Sequence, residues 1–148
     1  MLHPEIMQNG GIMQPSDATR PRFSIVLPAR NEEQRIRKTL ESYSQYLAGH
    51  GASGTEMIVV ANNCTDRTEE VVREMSKGIP YIRLVSHGQP GKGRAILEGF
   101  RQSRGETVLF CDADGSTDPA DVLRLLRMAS GGEWDCAIGS RWLPQSNV

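Results

Sequence analysis

The sequence has 148 residues, which is enough for one domain with a hydrophobic core. Its 17 basic and 18 acidic residues leave a formal net charge of -1, which argues against nucleic acid as a partner. Its three cysteines form no Cys-x-x-Cys pair, which argues against a disulfide framework or a structural zinc site and favours a reduced, cytosolic setting. No apolar run approaches the roughly 18 residues needed to cross a bilayer.

The first 22 residues differ in composition from the rest of the chain. They are rich in Pro, Gly, Asn and Gln, and they have neither the basic start nor the apolar stretch of a secretory signal. We expect residues 1–22 to form a disordered leader, followed by one structured domain over residues 23–148.

From residue 23 onward, short apolar runs alternate with helical patterns. Strands are predicted over residues 23–28, 56–61, 81–85, 106–112 and 134–140. Asn31, Asp66 and Asp118 are predicted to cap the first, second and fourth helices, and the loop over residues 86–93 leads into the third. The helix positions predicted to face inward are Ile36, Leu40, Tyr43, Leu47, Val71, Val72, Met75, Ile96, Phe100, Val122, Leu125, Leu126 and Ala129.

This alternation predicts right-handed βαβ units and therefore a Rossmann-like α/β fold, with a mostly parallel sheet between two layers of helices. In such sheets ligands bind beyond the carboxyl ends of the strands. The rule points to four loops, over residues 28–33, 61–66, 86–93 and 112–118.

The loop after the fourth strand contains two carboxylates one residue apart, Asp112 and Asp114. Both can turn toward one point in the crevice, and carboxylate oxygens suit Mg2+ or Mn2+, which hold a nucleotide diphosphate through its own oxygens. The alternative is a solvated acidic turn in which both side chains bond to their own backbone. The position at a strand's carboxyl end favours the metal site.

The loop before the third helix reads Pro90-Gly91-Lys92-Gly93-Arg94. Free backbone N–H groups and two cations at a helix N-terminus attract anions, and glycines allow close approach of the backbone. A flexible surface turn is the alternative. In the first loop, Arg30 and Asn31 are also candidates for binding a ligand.

Five segments occur in an order that resembles glycosyltransferase family 2, whose members have the GT-A fold: VLPARNEE, VVANNCTDRT, GKGRAILEGF, LFCDADGSTDP and AIGSRW. The dolichyl- or polyprenyl-phosphate sugar synthases look most similar. The resemblance implies an inverting transfer from a nucleotide-diphosphate sugar of the UDP or GDP type, assisted by Mg2+ or Mn2+. A polyprenyl phosphate is one candidate acceptor, which would place the protein in the cytoplasm or at the cytoplasmic membrane face.

The resemblance also implies a role for individual residues. The nucleotide pocket would contain Pro28, Ala29, Asn31, Glu32, Asn62 (facing the base), Lys92 (near the base or the phosphates) and Asp112 (on the ribose or the metal). Asp114 would ligate the metal, and Arg141 would hold the diphosphate or the acceptor phosphate, so that Asp112, Asp114 and Arg141 form the catalytic set. Two positions depart from the family pattern. Ala61-Asn62 replaces an Asp pair common in the family, which bears on the identity of the base, and Ser116 stands where some relatives have Gln near the metal, which bears on the strength of the metal site.

Catalytic domains of the resembled family continue beyond Gly-Ser-Arg, so we expect this chain to be the N-terminal, donor-binding part of such a domain. Open sheet edges would then favour self-association. A non-catalytic nucleotide-sugar-binding module is one alternative function. A sugar-phosphate nucleotidyltransferase is another, although its glycine-rich loop normally follows strand one, where this chain has ARNEE.

Overall fold

The computed structural model describes residues 20–140 and residue 142. Four strands alternate with four helices along the chain. In order they are β1 (Phe23–Ala29), α1 (Ile36–Gly49), β2 (Glu56–Asn62), α2 (Thr68–Gly78), β3 (Ile82–His87), α3 (Lys92–Gln102), β4 (Thr107–Phe110) and α4 (Pro119–Ser130). Residues 1–19 of the predicted leader and Arg141 lie outside the described residues.

The four strands form one parallel sheet in the order β3-β2-β1-β4. This confirms the predicted α/β class with a parallel sheet. β1 and β2 are almost entirely buried, as expected of central strands covered on both faces. All carboxyl ends point to one edge of the sheet, because parallel strands share a direction.

Helices cover both faces of the sheet. On one face, α1, α2 and α4 pack against β1 and β2 around residues such as Ile25, Leu40 and Met57. On the other face α3 packs through Ala95 against Val26 and neighbouring strand residues. The predicted inner face of α1 is confirmed, since all four of its residues are buried: Ile36, Leu40, Tyr43 and Leu47. That of α4 is confirmed in part, because Val122 and Leu126 are buried with Leu123, whereas the predicted Leu125 and Ala129 are only half-buried.

The predicted inner face of α3 was wrong. Ala95 and Gly99 are its buried residues, whereas Ile96 is half-buried and Phe100 is exposed. The reason is the close approach of the helix to β1, since a Cβ on Gly99 would lie 2.2 Å from Val26 Cγ1. Only the smallest residues fit there, so they occupy the inner face instead of the large apolar ones.

No strand forms over residues 134–140, contrary to the prediction. Trp134 is 60% exposed, Ile138 is 84% exposed, and Cys136 is also exposed. An apolar run becomes a strand only where a neighbouring strand pairs with its backbone. Within residues 20–140 the sheet ends at β3 and β4, and no segment pairs with the outer edge of either.

The helix starts were predicted within a few residues. Asp118 caps α4, where its carboxylate accepts a hydrogen bond from the Ala120 N–H at 2.7 Å, with Pro119 at the first position. Asn31 does not cap α1, because it has a left-handed φ of 57° and the helix begins at Ile36. No described helix has both the length and the apolar character needed to span a membrane.

Candidate nucleotide-binding site

A cavity of about 290 Å3 opens at the carboxyl edge of the sheet. β1, β2 and β4 end at it, and the N-terminus of α3 closes one side. Its walls are formed by Pro28, Ala29, Arg30, Glu32, Asn62, Gly91, Lys92, Asp112, Ala113 and Asp114. The cavity therefore lies where parallel α/β sheets bind their ligands.

Seven of the nine residues to which the resemblance assigns a role line this cavity, namely Pro28, Ala29, Glu32, Asn62, Lys92, Asp112 and Asp114. Arg30, the further candidate from the first loop, lines it as well. They come from four separate loops and meet because the carboxyl ends of the strands converge on one edge. Asn31 does not line the cavity. Arg141, the remaining residue, lies outside the described part of the chain.

Asn31 instead joins the first two loops. Its Oδ1 accepts a hydrogen bond from the Thr65 N–H at 2.8 Å, and its Nδ2 donates to Thr65 Oγ1 at 3.2 Å. Next to it, the Glu32 N–H donates to Thr68 Oγ1 at 2.8 Å, and the Glu33 N–H donates to an Asp66 carboxylate oxygen at 3.0 Å. These bonds hold the loop after β1 against the start of α2, and so they support one wall of the cavity from behind.

Lys92, the first residue of α3, reaches across the cavity to the loop after β4. Its ammonium lies 2.5 Å from Asp112 Oδ1, and both side chains are about half exposed. The preceding residue, Gly91, has a φ of 135°, a conformation that side chains rarely adopt. The glycine-lysine-glycine loop therefore places a cation and a helix N-terminus at the same wall.

Asp114 forms the tight turn that follows β4. Its Oδ1 accepts a hydrogen bond from the Ser116 N–H at 2.9 Å. This bond is the main cause of a lowered pKa for Asp114, and the positive charge of Arg35 lowers the pKa further. Asp114 is therefore a carboxylate at neutral pH. The bond is also the one that the alternative of a self-bonded acidic turn requires, so it does not by itself identify a metal ligand.

The carboxylates of the cavity are candidate ligands for a divalent cation. Among the described residues, no group of three or more His, Cys, Asp and Glu side chains lies close enough to hold a metal. Asp112 and Asp114 nevertheless bring two carboxylates to one cavity. This set fits a hard cation such as Mg2+, which is typically held by one or two carboxylates and completes its shell with phosphate oxygens and water.

Asn62 lies at the end of β2 and is only 5% exposed. Its Oδ1 is buried without a hydrogen-bond partner among residues 20–140, and so is Nε2 of His87 at the end of β3. Asn62 and His87 are paired in the β2–β3 register, so both side chains lie on the face that α3 covers. A buried polar atom without a partner is uncommon and indicates that a ligand or water completes it.

The sequence motifs did not single out His87. The signal that identifies it is alternation along β3, since Val85 faces α3 and His87 is two residues further on. Gly91 and Ala113 are further lining residues that the motifs placed in the right loops without assigning them to the site.

A parallel sheet covered by helices on both faces, with a polar cavity at its carboxyl edge, defines a Rossmann-like α/β fold. The chain belongs to glycosyl transferase family 2, whose family model matches residues 24–148. This confirms the resemblance noted in the sequence.

Curated relatives are similar over most of the chain. Glycosyltransferase AglD from Haloferax volcanii is 35% identical over 126 residues, covering 82% of this chain and 20% of AglD. Dolichyl-phosphate beta-glucosyltransferase ALG5A from Trichomonas vaginalis is 41% identical over 110 residues, covering 68% of this chain and 33% of ALG5A. The chain thus spans between a fifth and a third of the length of these two relatives.

A solved structure has a similar fold over most of this chain. Mannosyltransferase PcManGT from Pyrobaculum calidifontis, in complex with GDP-Man and Mn2+, superposes with a TM-score of 0.53 at 28% identity. The match covers 69% of this chain and 31% of that chain. The fold is therefore the GT-A type of α/β fold.

Proposed function

We propose that the chain binds the diphosphate of a UDP- or GDP-type sugar donor in the cavity at the carboxyl edge, together with Mg2+ or Mn2+. The observation that carries the proposal is the meeting of Asp112, Asp114 and Lys92 at one cavity. The two carboxylates come from one loop and can hold a divalent cation. Lys92 comes from another loop and can offset the charge of the diphosphate. PcManGT, solved with GDP-Man and Mn2+, supports the same ligand class.

Each group has a distinct task in this proposal. Asp112 and Asp114 would hold the cation, which supplies positive charge to the diphosphate oxygens when it is bound. Lys92, together with the N-terminus of α3, offsets the charge that develops on the departing nucleotide diphosphate. Arg94 bonds to Gln89 at 2.6 Å and does not line the cavity, so Lys92 is the better candidate for this task.

The reaction proposed is a displacement at the anomeric carbon with inversion. An acceptor oxygen forms the new bond while the bond from the anomeric carbon to the diphosphate oxygen breaks, and the electron pair leaves with the diphosphate. ALG5A is named for a dolichyl-phosphate acceptor, which supports a lipid phosphate here. Such an acceptor is ionised at neutral pH and needs little help from a general base. Transfer of the sugar to a lipid phosphate would place the protein at the cytoplasmic membrane face.

Donor binding without transfer is the second candidate, because the chain spans only 20% and 33% of the two relatives named above. The two candidates share the donor site and differ in product. Incubating the chain with donor and a polyprenyl phosphate, and measuring glycosylated lipid against free sugar, separates them. Glycosylated lipid identifies a transferase, whereas free sugar or intact donor identifies a binding module.

The donor site is tested with Asp114→Asn, measured by calorimetry with UDP and GDP in the presence and absence of Mn2+. The amide oxygen of Asn can still accept the Ser116 bond, so the turn is preserved and only the charge is lost. We expect the Mn2+-dependent part of the affinity to disappear. Asp121→Asn, at an exposed position on α4, is the matched control. Equal Mn2+-dependent affinity in Asp114→Asn and the parent contradicts the proposal.

A further inference from the structure

Two side chains of α1 donate hydrogen bonds to the backbone of the loop that carries Asp112 and Asp114. Thr39 Oγ1 donates a hydrogen bond to the Ala113 carbonyl at 3.1 Å, and Tyr43 OH donates to the Thr117 carbonyl at 2.9 Å. Thr39 and Tyr43 are four residues apart, so they lie on one face of the helix. The two carbonyls that they hold lie on either side of the turn at Asp114.

The two side chains that make these contacts are buried. Thr39 is 4% exposed and Tyr43 is 1% exposed. Burial also raises the pKa of the Tyr43 phenol, so the hydroxyl keeps its proton and is a donor at neutral pH. A carbonyl that loses its donor in such surroundings stays unsatisfied unless the loop moves toward water. The hydrogen bonds therefore determine where the loop lies.

The backbone of the loop approaches α1 too closely for other arrangements. Gly115 has a φ of 78°, and a Cβ at this position would lie 3.0 Å from Thr39 Oγ1. The turn is closed on its other side by the bond from the Ser116 N–H to Asp114. The loop is thus confined between α1 and its own tight turn.

We propose that Thr39 and Tyr43 are positioning residues that hold the loop over residues 112–117 so that its two carboxylates face the cavity. Neither side chain lines the cavity, and both act through the backbone of the loop. The inference rests on the proposed function, since it assigns Thr39 and Tyr43 to the same metal and diphosphate site. The sequence pattern had assigned Tyr43 only to the apolar face of α1.

The proposal is tested with the double variant of Thr39→Val and Tyr43→Phe, which removes both hydroxyls and little volume. The control is Tyr46→Phe on the same helix, where the ring stacks on His50 away from the loop. Mn2+ affinity of the chain alone is measured by electron paramagnetic resonance, and the affinity for UDP and GDP without metal by calorimetry. We expect Mn2+ affinity to fall about tenfold or more, which is typical when a residue that orients a metal ligand through hydrogen bonds is removed. Metal-free nucleotide affinity should stay within about twofold, because a loss specific to the metal loop leaves the rest of the cavity intact.

A second measurement does not depend on metal. Hydrogen exchange at the Ser116 amide reports whether the turn at Asp114 is closed. We expect faster exchange in the double variant and unchanged exchange in Tyr46→Phe, at a temperature where all variants are folded. Unchanged exchange and unchanged Mn2+ affinity in the double variant overturn the positioning role. Equal loss of metal-dependent and metal-free binding also overturns it, because that result indicates general unfolding.

The two proposals can fail separately. If the parent binds no Mn2+, the metal site of the proposed function is wrong, and exchange at Ser116 still decides whether Thr39 and Tyr43 hold the loop. If the parent binds Mn2+ and the double variant matches it in both measurements, the donor site stands and the positioning role is rejected.

Discussion

The ammonium of Lys92 lies 2.5 Å from a carboxylate oxygen of Asp112, although 20 residues separate them in the chain. Lys92 begins α3 and Asp112 follows β4, so the pair spans the cavity between two elements. If Asp112 holds a cation, the metal and Lys92 compete for the same carboxylate. Binding of a metal–diphosphate would then transfer Lys92 from Asp112 to a phosphate oxygen.

Lys92→Met keeps the length of the side chain and removes its charge. We expect affinity for UDP and GDP to weaken by ~1–3 kcal/mol, with little change for uridine and guanosine. Affinity for Mn2+ alone should increase, because Asp112 loses its competing partner. Calorimetry with the four ligands and with Mn2+ measures these effects, and Arg94→Met is the control at a neighbouring cation. Equal weakening of nucleoside and diphosphate would assign Lys92 to the base or to folding.

Asn62→Leu removes a buried amide whose oxygen has no partner among the described residues. Two effects of opposite sign are expected. The free energy of unfolding should rise or stay level, because an unsatisfied buried polar group is replaced by an apolar one of similar shape. Affinity for UDP or GDP should fall by ~1–3 kcal/mol if the amide bonds to the base.

Pyrophosphate is the control ligand for Asn62→Leu, since it lacks a base and should bind as in the parent. Urea unfolding and calorimetry supply the two measurements. A variant that loses both stability and pyrophosphate affinity would show that Asn62 is structural.

Gly99→Ala tests how closely α3 approaches the sheet. The added methyl group would lie 2.2 Å from Val26 Cγ1, so β1 or the helix must move. We expect the free energy of unfolding to fall by ~1–3 kcal/mol, as for other overpacked cores. Gly93→Ala, on the same helix with nothing within 4 Å of the new atom, should raise stability by roughly 0.4–1 kcal/mol. Urea denaturation of both variants checks the prediction, and equal effects would contradict the packing described here.

Glu56 links three structural elements at the amino edge of the sheet. Its carboxylate accepts hydrogen bonds from Ser24 Oγ at 2.7 Å and the Arg104 N–H at 2.9 Å, and it pairs with the Arg83 guanidinium. Burial alone would raise the pKa of Glu56, but these hydrogen bonds outweigh it, and the pKa is lowered from 4.5. The ionised form is therefore the one that stabilises the fold.

This stabilisation is fully present above the unfolded pKa of 4.5 and is lost as the pH falls through the lower folded value. Glu56→Gln should therefore lower the free energy of unfolding by about 1.5–3 kcal/mol at pH 7, and this difference should shrink as the pH falls below 4.5. Urea unfolding at several pH values measures the effect. Glu41→Gln, at an exposed position on α1, is the control and should change little. A pH-independent difference would show that the charge of Glu56 is not the cause.

We expect the outer edge of β4 to favour self-association. Phe110 is 48% exposed at its end and contacts Phe100 of α3, with ring centroids 6.2 Å apart. Unpaired strand edges and apolar side chains invite pairing with another chain. We expect the sedimentation coefficient of the parent to rise with concentration and that of Phe110→Lys to rise much less. Met128→Lys, at an exposed position on α4, is the control, and a parent that stays monomeric at all concentrations would contradict the prediction.

The sequence by itself determined the order of the elements, the class of fold and the loops that form the site. These features follow from local patterns: apolar runs such as β1, cap residues such as Asp118, and loop residues such as Lys92 and Asp114. Short-range sequence signals are enough to predict a strand and the helix that follows it. Because the strands are parallel, their carboxyl ends then lie at one edge of the sheet. For that reason local patterns could single out Lys92, Asp112 and Asp114. The other four lining residues were assigned through the resemblance to the family, namely Pro28, Ala29, Glu32 and Asn62, and all of these roles remain predictions.

Features that depend on how closely two elements approach each other were decided only by the tertiary structure. The inner face of α3 follows from a close approach to Val26, which favours Gly99 over Phe100. The absence of a strand over residues 134–140 follows from the lack of a neighbouring strand in the described part of the chain. The hydrogen bond from Tyr43 to the loop over residues 112–117 joins residues 74 positions apart. Periodicity identifies which face of a helix is apolar, but it does not specify the polar atom that a buried hydroxyl meets.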